Sequence, residues 1–193
     1  LQILQDSQVS YIVIDPEAYQ TINQVRDIYT FKWIAGSQMP EYPIISFVYP
    51  IEEMISQSPG KVSPVQVHPR EDVAVIQYTG GTTGVIKGAM LTHYNLVANV
   101  VQSYLLYGER MEFGKETVLT ATPLYHVYAM TSGMNLPVYI GGTILLFRKF
   151  EVNHVLAMIQ KYKPTFIPGV PKMYLAFVNH PEIGQYDLTC FKF

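Results

Sequence analysis

Asp72-Val73-Ala74-Val75-Ile76-Gln77-Tyr78-Thr79-Gly80-Gly81-Thr82-Thr83-Gly84-Val85-Ile86-Lys87-Gly88 is the stretch that decides the fold. Residues 72–78 are apolar at nearly every position, which predicts a strand buried on both faces. The run then changes abruptly to glycine and threonine. Gly80, Gly81 and Gly84 let the backbone approach a ligand without Cβ clashes. The hydroxyls of Thr79, Thr82 and Thr83, with successive backbone N–H groups, can donate to phosphate oxygens. Lys87 adds a positive charge. The plain alternative is a Gly/Thr connection that holds nothing. The loop is not of the Walker type, which needs Gly-Lys followed by Ser or Thr at a helix start. It is not the G-x-G-x-x-G dinucleotide fingerprint either.

After the loop, residues 88–91 read as a short segment, and Thr92 as the N-cap of a helix. Leu96, Val97, Val100, Val101 and Tyr104 recur on it at helical spacing. Residues 118–121 read as a strand and 127–139 as a Met- and Tyr-rich helix ended by Gly141-Gly142. Residues 143–147 (TILLF) read as the next strand. Val152, Val155, Leu156, Ile159 and Tyr162 define one apolar helix face, which Pro164 stops. Residues 165–167 predict a strand, and 172–179 a helix. Upstream, residues 11–15 (YIVID) and 31–35 predict strands, 17–27 a helix, and 36–70 a proline-rich connection with one short helix at 52–57. Strands alternating with helices predict an α/β fold with a largely parallel sheet.

Composition excludes several classes. Apolar residues make up 49% and charged residues 15%, a globular rather than a disordered balance. With 13 basic and 15 acidic side chains the net charge is −2, so no basic field draws nucleic acid. The single cysteine, Cys190, excludes a disulfide framework and reads as a small packed side chain. His68, His93, His154 and His180 lack metal-ligand spacing, so no metal site is expected. Ser103 and Ser132 have no nucleophile-elbow context. The fifteen tyrosines read mostly as core or interface material. The N-terminus carries no signal-peptide pattern, and no apolar run is long enough to span a bilayer, consistent with a cytoplasmic setting. Residues 1–5 read as a helix already under way and 189–193 as the start of a strand. A segment of a longer chain is therefore expected.

The string from Tyr78 to Gly88 resembles the phosphate-binding signature of the adenylate-forming enzymes: acyl-coenzyme A synthetases, luciferases and peptide-synthetase adenylation domains. The preceding strand and the continuation Gly88-Ala89-Met90-Leu91-Thr92-His93-Tyr94-Asn95 are similar too. Ile86 departs from the pattern, since many relatives carry proline there. Thr122-Pro123-Leu124-Tyr125-His126-Val127-Tyr128 resembles the family segment bordering the acyl and adenylate pocket. Phe166-Ile167-Pro168-Gly169-Val170-Pro171 resembles a strand and turn lining the acyl pocket. Residues 119–130, with 179–182 and 187–188, look most like bacterial long-chain fatty-acid–coenzyme A ligases. Some long-chain members place a tryptophan gate where Met130 stands, so such a gate is not supported.

The resemblance implies that residues 1–193 are part of a large N-terminal AMP-binding domain, and that the catalytic lysine belongs to a C-terminal domain. It implies ATP with Mg²⁺, a fatty acid and coenzyme A as partners. It assigns the ATP phosphates to Thr79, Gly80, Gly81, Thr82, Thr83, Gly84 and Lys87. It assigns the acyl and adenylate pocket to Tyr125, His126, Met130 and Gly169, and assigns no residue here to catalysis or to a metal. An aryl-acid or peptide-synthetase adenylating enzyme and a non-catalytic folded module stay open as alternatives. Peripheral membrane contact is left open as well, because long-chain acids partition into lipid, although no amphipathic basic helix is visible.

Overall fold

The computed structural model describes residues 1–25, 27–37, 48–80 and 86–192. The chain divides into two compact units, one of residues 1–68 with 73–90, the other of 69–72 with 91–193.

In the first unit, α1 (Gln2–Ser7) leads into β1 (Tyr11–Ile14). Asp15 then caps a single 3₁₀ turn by accepting from Glu17 N–H at 3.1 Å, and α2 (Tyr19–Val25) follows. β2 (Trp33–Gly36) pairs parallel with β1, and β3 (Val48–Pro50) pairs parallel with β2. Ile14, Tyr19, Phe31 and Ile34 form the core under this sheet. The short helix expected at 52–57 is α3 (Ile51–Gln57). β3 was hidden in the proline-rich stretch, because three residues give no periodicity to read.

β4 (Val73–Gly80) and β5 (Ile86–Thr92) form a separate two-stranded sheet. Two expectations are corrected here. Residues 72–78 do form a strand, but none of β4 is buried; Val73 and Ile76 are 44% and 41% exposed. Continuous hydrophobicity reports that a strand is suited to burial, not that both faces are covered. Residues 88–91 are not a loose segment but the body of β5.

The second unit is a small α/β layer. α4 (His93–Tyr107) starts at a capping box: Asn95 N–H donates to Thr92 Oγ1 at 3.2 Å, and Thr92 N–H donates to Asn95 Oδ1 at 2.9 Å. Thr92→Ala should therefore cost about 1 kcal/mol of stability. Thermal melts against Thr92→Ser, which keeps the acceptor, check it. An equal loss in both variants would refute the capping account.

β6 (Thr117–Thr120) is central. It pairs parallel with β7 (Thr143–Leu146) in register Thr117 to Thr143, and on its other side bridges in parallel from Val118 to Phe166. The strand expected at 165–167 is thus one bridge long. The helix expected at 127–139 is interrupted: α5 (Val127–Ala129) passes into a π-helical stretch (Met130–Asn135), then α6 (Leu136–Tyr139). Gly141, with φ 67°, turns the chain out of α6. α7 (Val152–Tyr162) buries Val155, Leu156 and Ile159 as its spacing predicts, whereas Tyr162 is 47% exposed. α8 (Pro171–Val178) carries proline in its first turn. Residues 189–190 are turn, not the strand expected at the end.

The alternation of β6 sorts the helices. Leu119 and Ala121 pack in one cluster with Val155, Leu156 and Ile159 of α7 and Met173 and Phe177 of α8. Val118 packs in another with Val100 of α4 and Leu136 of α6. Period-two side chains point to opposite faces, so α7 and α8 cover one face and α4 and α6 the other. Cys190 is half-buried against the first cluster, and burial pushes its thiol up. Among the described tyrosines only Tyr19 is fully buried, while Tyr29, Tyr104, Tyr107 and Tyr186 are half-buried against the core clusters. No helix among the described residues is long and apolar enough to cross a membrane.

Candidate functional site

The first candidate region lies where β4 ends and β5 begins. Gly81, Thr82, Thr83 and Gly84 lie outside the described residues. Thr79 and Gly80 are the last residues of β4, and both are exposed. Lys87, expected to bring a positive charge within reach, is the second residue of β5 and exposed. The two described glycines here answer to different demands. A Cβ at Gly88 would lie 2.7 Å from Ile76 Cγ2 and 3.1 Å from the Tyr78 ring, so packing alone requires glycine there. A Cβ at Gly80 would meet nothing within 4 Å, and its φ is not positive.

The second region follows from the sheet of the second unit. The chain leaves β6 for α5 and α6 on one face and leaves the neighbouring strand position at Phe166 for α8 on the other. Adjacent parallel strands whose exits diverge in this way open a crevice at their carboxyl ends, the usual ligand position in open α/β sheets. The segments emerging there are 121–126 and 167–170. Thr122 Oγ1 ties them together, donating to Pro168 O at 3.3 Å, with Met173 Sδ 3.5 Å away. Tyr174 holds the far lip: its hydroxyl donates to Ile167 O at 2.8 Å and accepts from Gly169 N–H at 3.1 Å. A Cβ at Gly169 would sit 3.0 Å from that ring.

Of the expected pocket residues, Tyr125 and His126 are exposed, with ring centroids 4.6 Å apart, at the mouth of β6. His126 also begins the helical stretch, accepting from Met130 N–H at 2.9 Å. Met130 is buried, the first residue of the π-helical stretch. Such stretches are rare and concentrate at functional sites. Thr131 fixes it to α4 through a 2.8 Å hydrogen bond to Asn99 Oδ1. Partial burial, with the nearby phenols of Tyr174 and Tyr107, pushes the Tyr128 hydroxyl up.

Sequence reasoning did not single out Thr122 or Tyr174. Thr122 stood inside the quoted segment but gave no sign that its hydroxyl crosses to Pro168. The partners of Tyr174 depend on how α8 packs. Among the described residues no three His, Cys, Asp or Glu side chains converge on a metal position.

A long-chain-fatty-acid–CoA ligase of Bacillus subtilis is 42% identical over 127 residues, covering 66% of this chain and 22% of the relative. A 4-coumarate–CoA ligase of Humulus lupulus is 34% identical over 138 residues, covering 71% and 25%. The chain therefore spans about a quarter or less of the curated relatives it matches. Among solved structures, an anthranilate CoA ligase in complex with anthranoyl-AMP superposes with a TM-score of 0.82 at 22% identity. That match covers 98% of this chain and 36% of the other, and shows the shared fold. The family described as AMP-binding enzyme matches residues 1–192, and the chain belongs to that family.

Proposed function

We propose that this chain is a segment of the large N-terminal domain of an acid–thiol ligase that activates a long-chain fatty acid, with a further C-terminal domain supplying the catalytic lysine. The carrying observation is the Thr/Gly run that begins at the end of β4, with Lys87 on β5, set within a family match along nearly the whole chain. In this reading Thr79, Gly80, Gly81, Thr82, Thr83, Gly84 and Lys87 hold the β- and γ-phosphates of ATP. Tyr125, His126, Met130 and Gly169 border the acyl and adenylate pocket. The carboxylate oxygen attacks the α-phosphorus, the bond to the bridging oxygen breaks, and pyrophosphate leaves. The coenzyme A thiol then attacks the acyl carbon and expels AMP. Donors fixed around the departing phosphates stabilise charge as it develops. Mg²⁺ would arrive on the ATP phosphates.

The name of the Bacillus relative favours a fatty acid. The name of the Humulus relative supports a second reading, an aryl-acid ligase. Pyrophosphate exchange by the full-length protein tests both. Exchange supported by hexadecanoate but not by 4-coumarate is expected, and the reverse would transfer the proposal to the aryl acid. Lys87→Ala should lower exchange on the order of 100-fold, the scale of losing one donor to developing charge. Unchanged exchange would remove Lys87 from the site. The chain of 193 residues by itself is expected to show none.

A further inference from the structure

Tyr78 lies near the end of β4, two residues before Gly80. Its hydroxyl donates a 2.6 Å hydrogen bond to Asp6 Oδ2 on α1, seventy-two positions earlier in the chain. A phenol bonded to a carboxylate at this length is a charge-assisted contact, stronger than a neutral pair. The same ring lies over Gly88, where a Cβ would come within 3.1 Å of it. Residue 78 directly precedes Thr79, and residue 88 directly follows Lys87. One aromatic ring of β4 therefore lies against β5, and Asp6 of α1 holds its hydroxyl. The Asp6 carboxylate, with desolvation second, also holds the Tyr78 hydroxyl above its ordinary value.

We propose that Asp6 and Tyr78 form a positioning pair that sets the spacing of Thr79 and Lys87 for nucleotide phosphates. The proposal rests on the phosphate reading of residues 79–87. Neither residue touches ATP or takes part in bond making. Their contribution is to order the two strands before ligand arrives, so that binding does not have to order them.

The test measures ATP affinity, the KM values for ATP and for fatty acid, and thermal midpoint in the full-length protein. Its variants are Asp6→Ala, Asp6→Asn, Tyr78→Phe and the Asp6→Ala/Tyr78→Phe pair. Loss of one charge-assisted hydrogen bond at a partly exposed site should raise Kd and KM for ATP about fivefold in Asp6→Ala and Tyr78→Phe. KM for fatty acid should not change. Asp6→Asn, whose side-chain oxygen still accepts, should recover most of the affinity. The double variant should be no weaker than either single one, because both remove the same contact. Lowered thermal midpoints with ATP affinity unchanged would overturn the proposal and leave a merely structural contact. Additive losses in the double variant would overturn it as well. If the unsubstituted protein binds no ATP, the phosphate reading itself fails and takes this inference with it. That outcome is distinct from variants that bind as well as the parent.

Discussion

Glu116→Ala should destabilise the second unit by about 3 kcal/mol, the order seen when a buried ionic network loses one member. Its thermal midpoint should fall by about 6–12 °C. The Glu116 side chain is 1% exposed and lies just before β6. It accepts from Glu112 N–H at 2.7 Å, from the Thr165 hydroxyl, and from Lys192 Nζ at 2.7 Å. One carboxylate thus joins the turn before β6, the strand position beside β6 and the last described residues of the chain. Removing it leaves the part-buried Glu112 N–H without its acceptor and leaves the Thr165 hydroxyl only Thr117 O, at 3.3 Å. Glu116→Gln should lose less, since the amide oxygen still accepts.

Acid should separate the charge from the shape. Burial pushes the Glu116 carboxyl up, but the Glu112 N–H, the Lys192 ammonium and the Thr165 hydroxyl outweigh it. The carboxyl is held below its ordinary value of 4.5. A carboxyl depressed in the folded state adds stability above its unfolded pKa and loses it as pH falls through the folded one. The advantage of the parent over Glu116→Gln should therefore be constant near neutrality, shrink below about pH 4.5, and vanish further into acid. Urea melts between pH 7 and 3 measure it. An advantage that grew on acidification would contradict the network.

Gly133→Val should cost about 3 kcal/mol, at the upper end of overpacking penalties, because the site is closed on every side that matters. Gly133 is buried in the π-helical stretch, against Thr120 of β6. A Cβ there would stand 2.6 Å from Thr120 Cγ2 and 2.9 Å from Thr120 Oγ1. Thr120 is fully buried and its hydroxyl donates to Gly133 O at 2.9 Å. The helical stretch can approach the strand this closely only without a side chain at 133. Because Thr120 is the nearest obstacle, Gly133→Ala should be much better tolerated in a Thr120→Ala background than alone. Equal penalties in the two backgrounds, by chemical denaturation, would show that the strain lies elsewhere. The same substitution should disturb Met130 three residues earlier, so stability and the candidate pocket are coupled through one glycine.

Legibility in the sequence followed the length of the periodic signal. α4 and α7 were readable because several apolar positions repeat at helical spacing, and Thr92 marked its own boundary through cap chemistry. β1, β6 and β7 were readable as β-branched or aliphatic runs between turn signals. β3 and the bridge at Phe166 were not well marked, since one to three paired residues carry too little pattern. The π-helical stretch was invisible as such: nothing in the local pattern of Met130–Asn135 marks a π register, nor that Gly133 packs on Thr120.

By itself the sequence determined the alternation of strands and helices, the Thr/Gly run with Lys87, and membership of the family, because propensity, caps and motif chemistry are local properties of the chain. Only the tertiary structure decided that β4 is half-exposed, that Lys87 lies on a strand, and that the chain leaves β6 and Phe166 toward opposite faces of the sheet. It also decided that Asp6 meets Tyr78 and that Glu116 meets Lys192. Those facts join residues as many as seventy-six positions apart. A contact of that kind depends on which faces are buried together, and no local pattern carries that information.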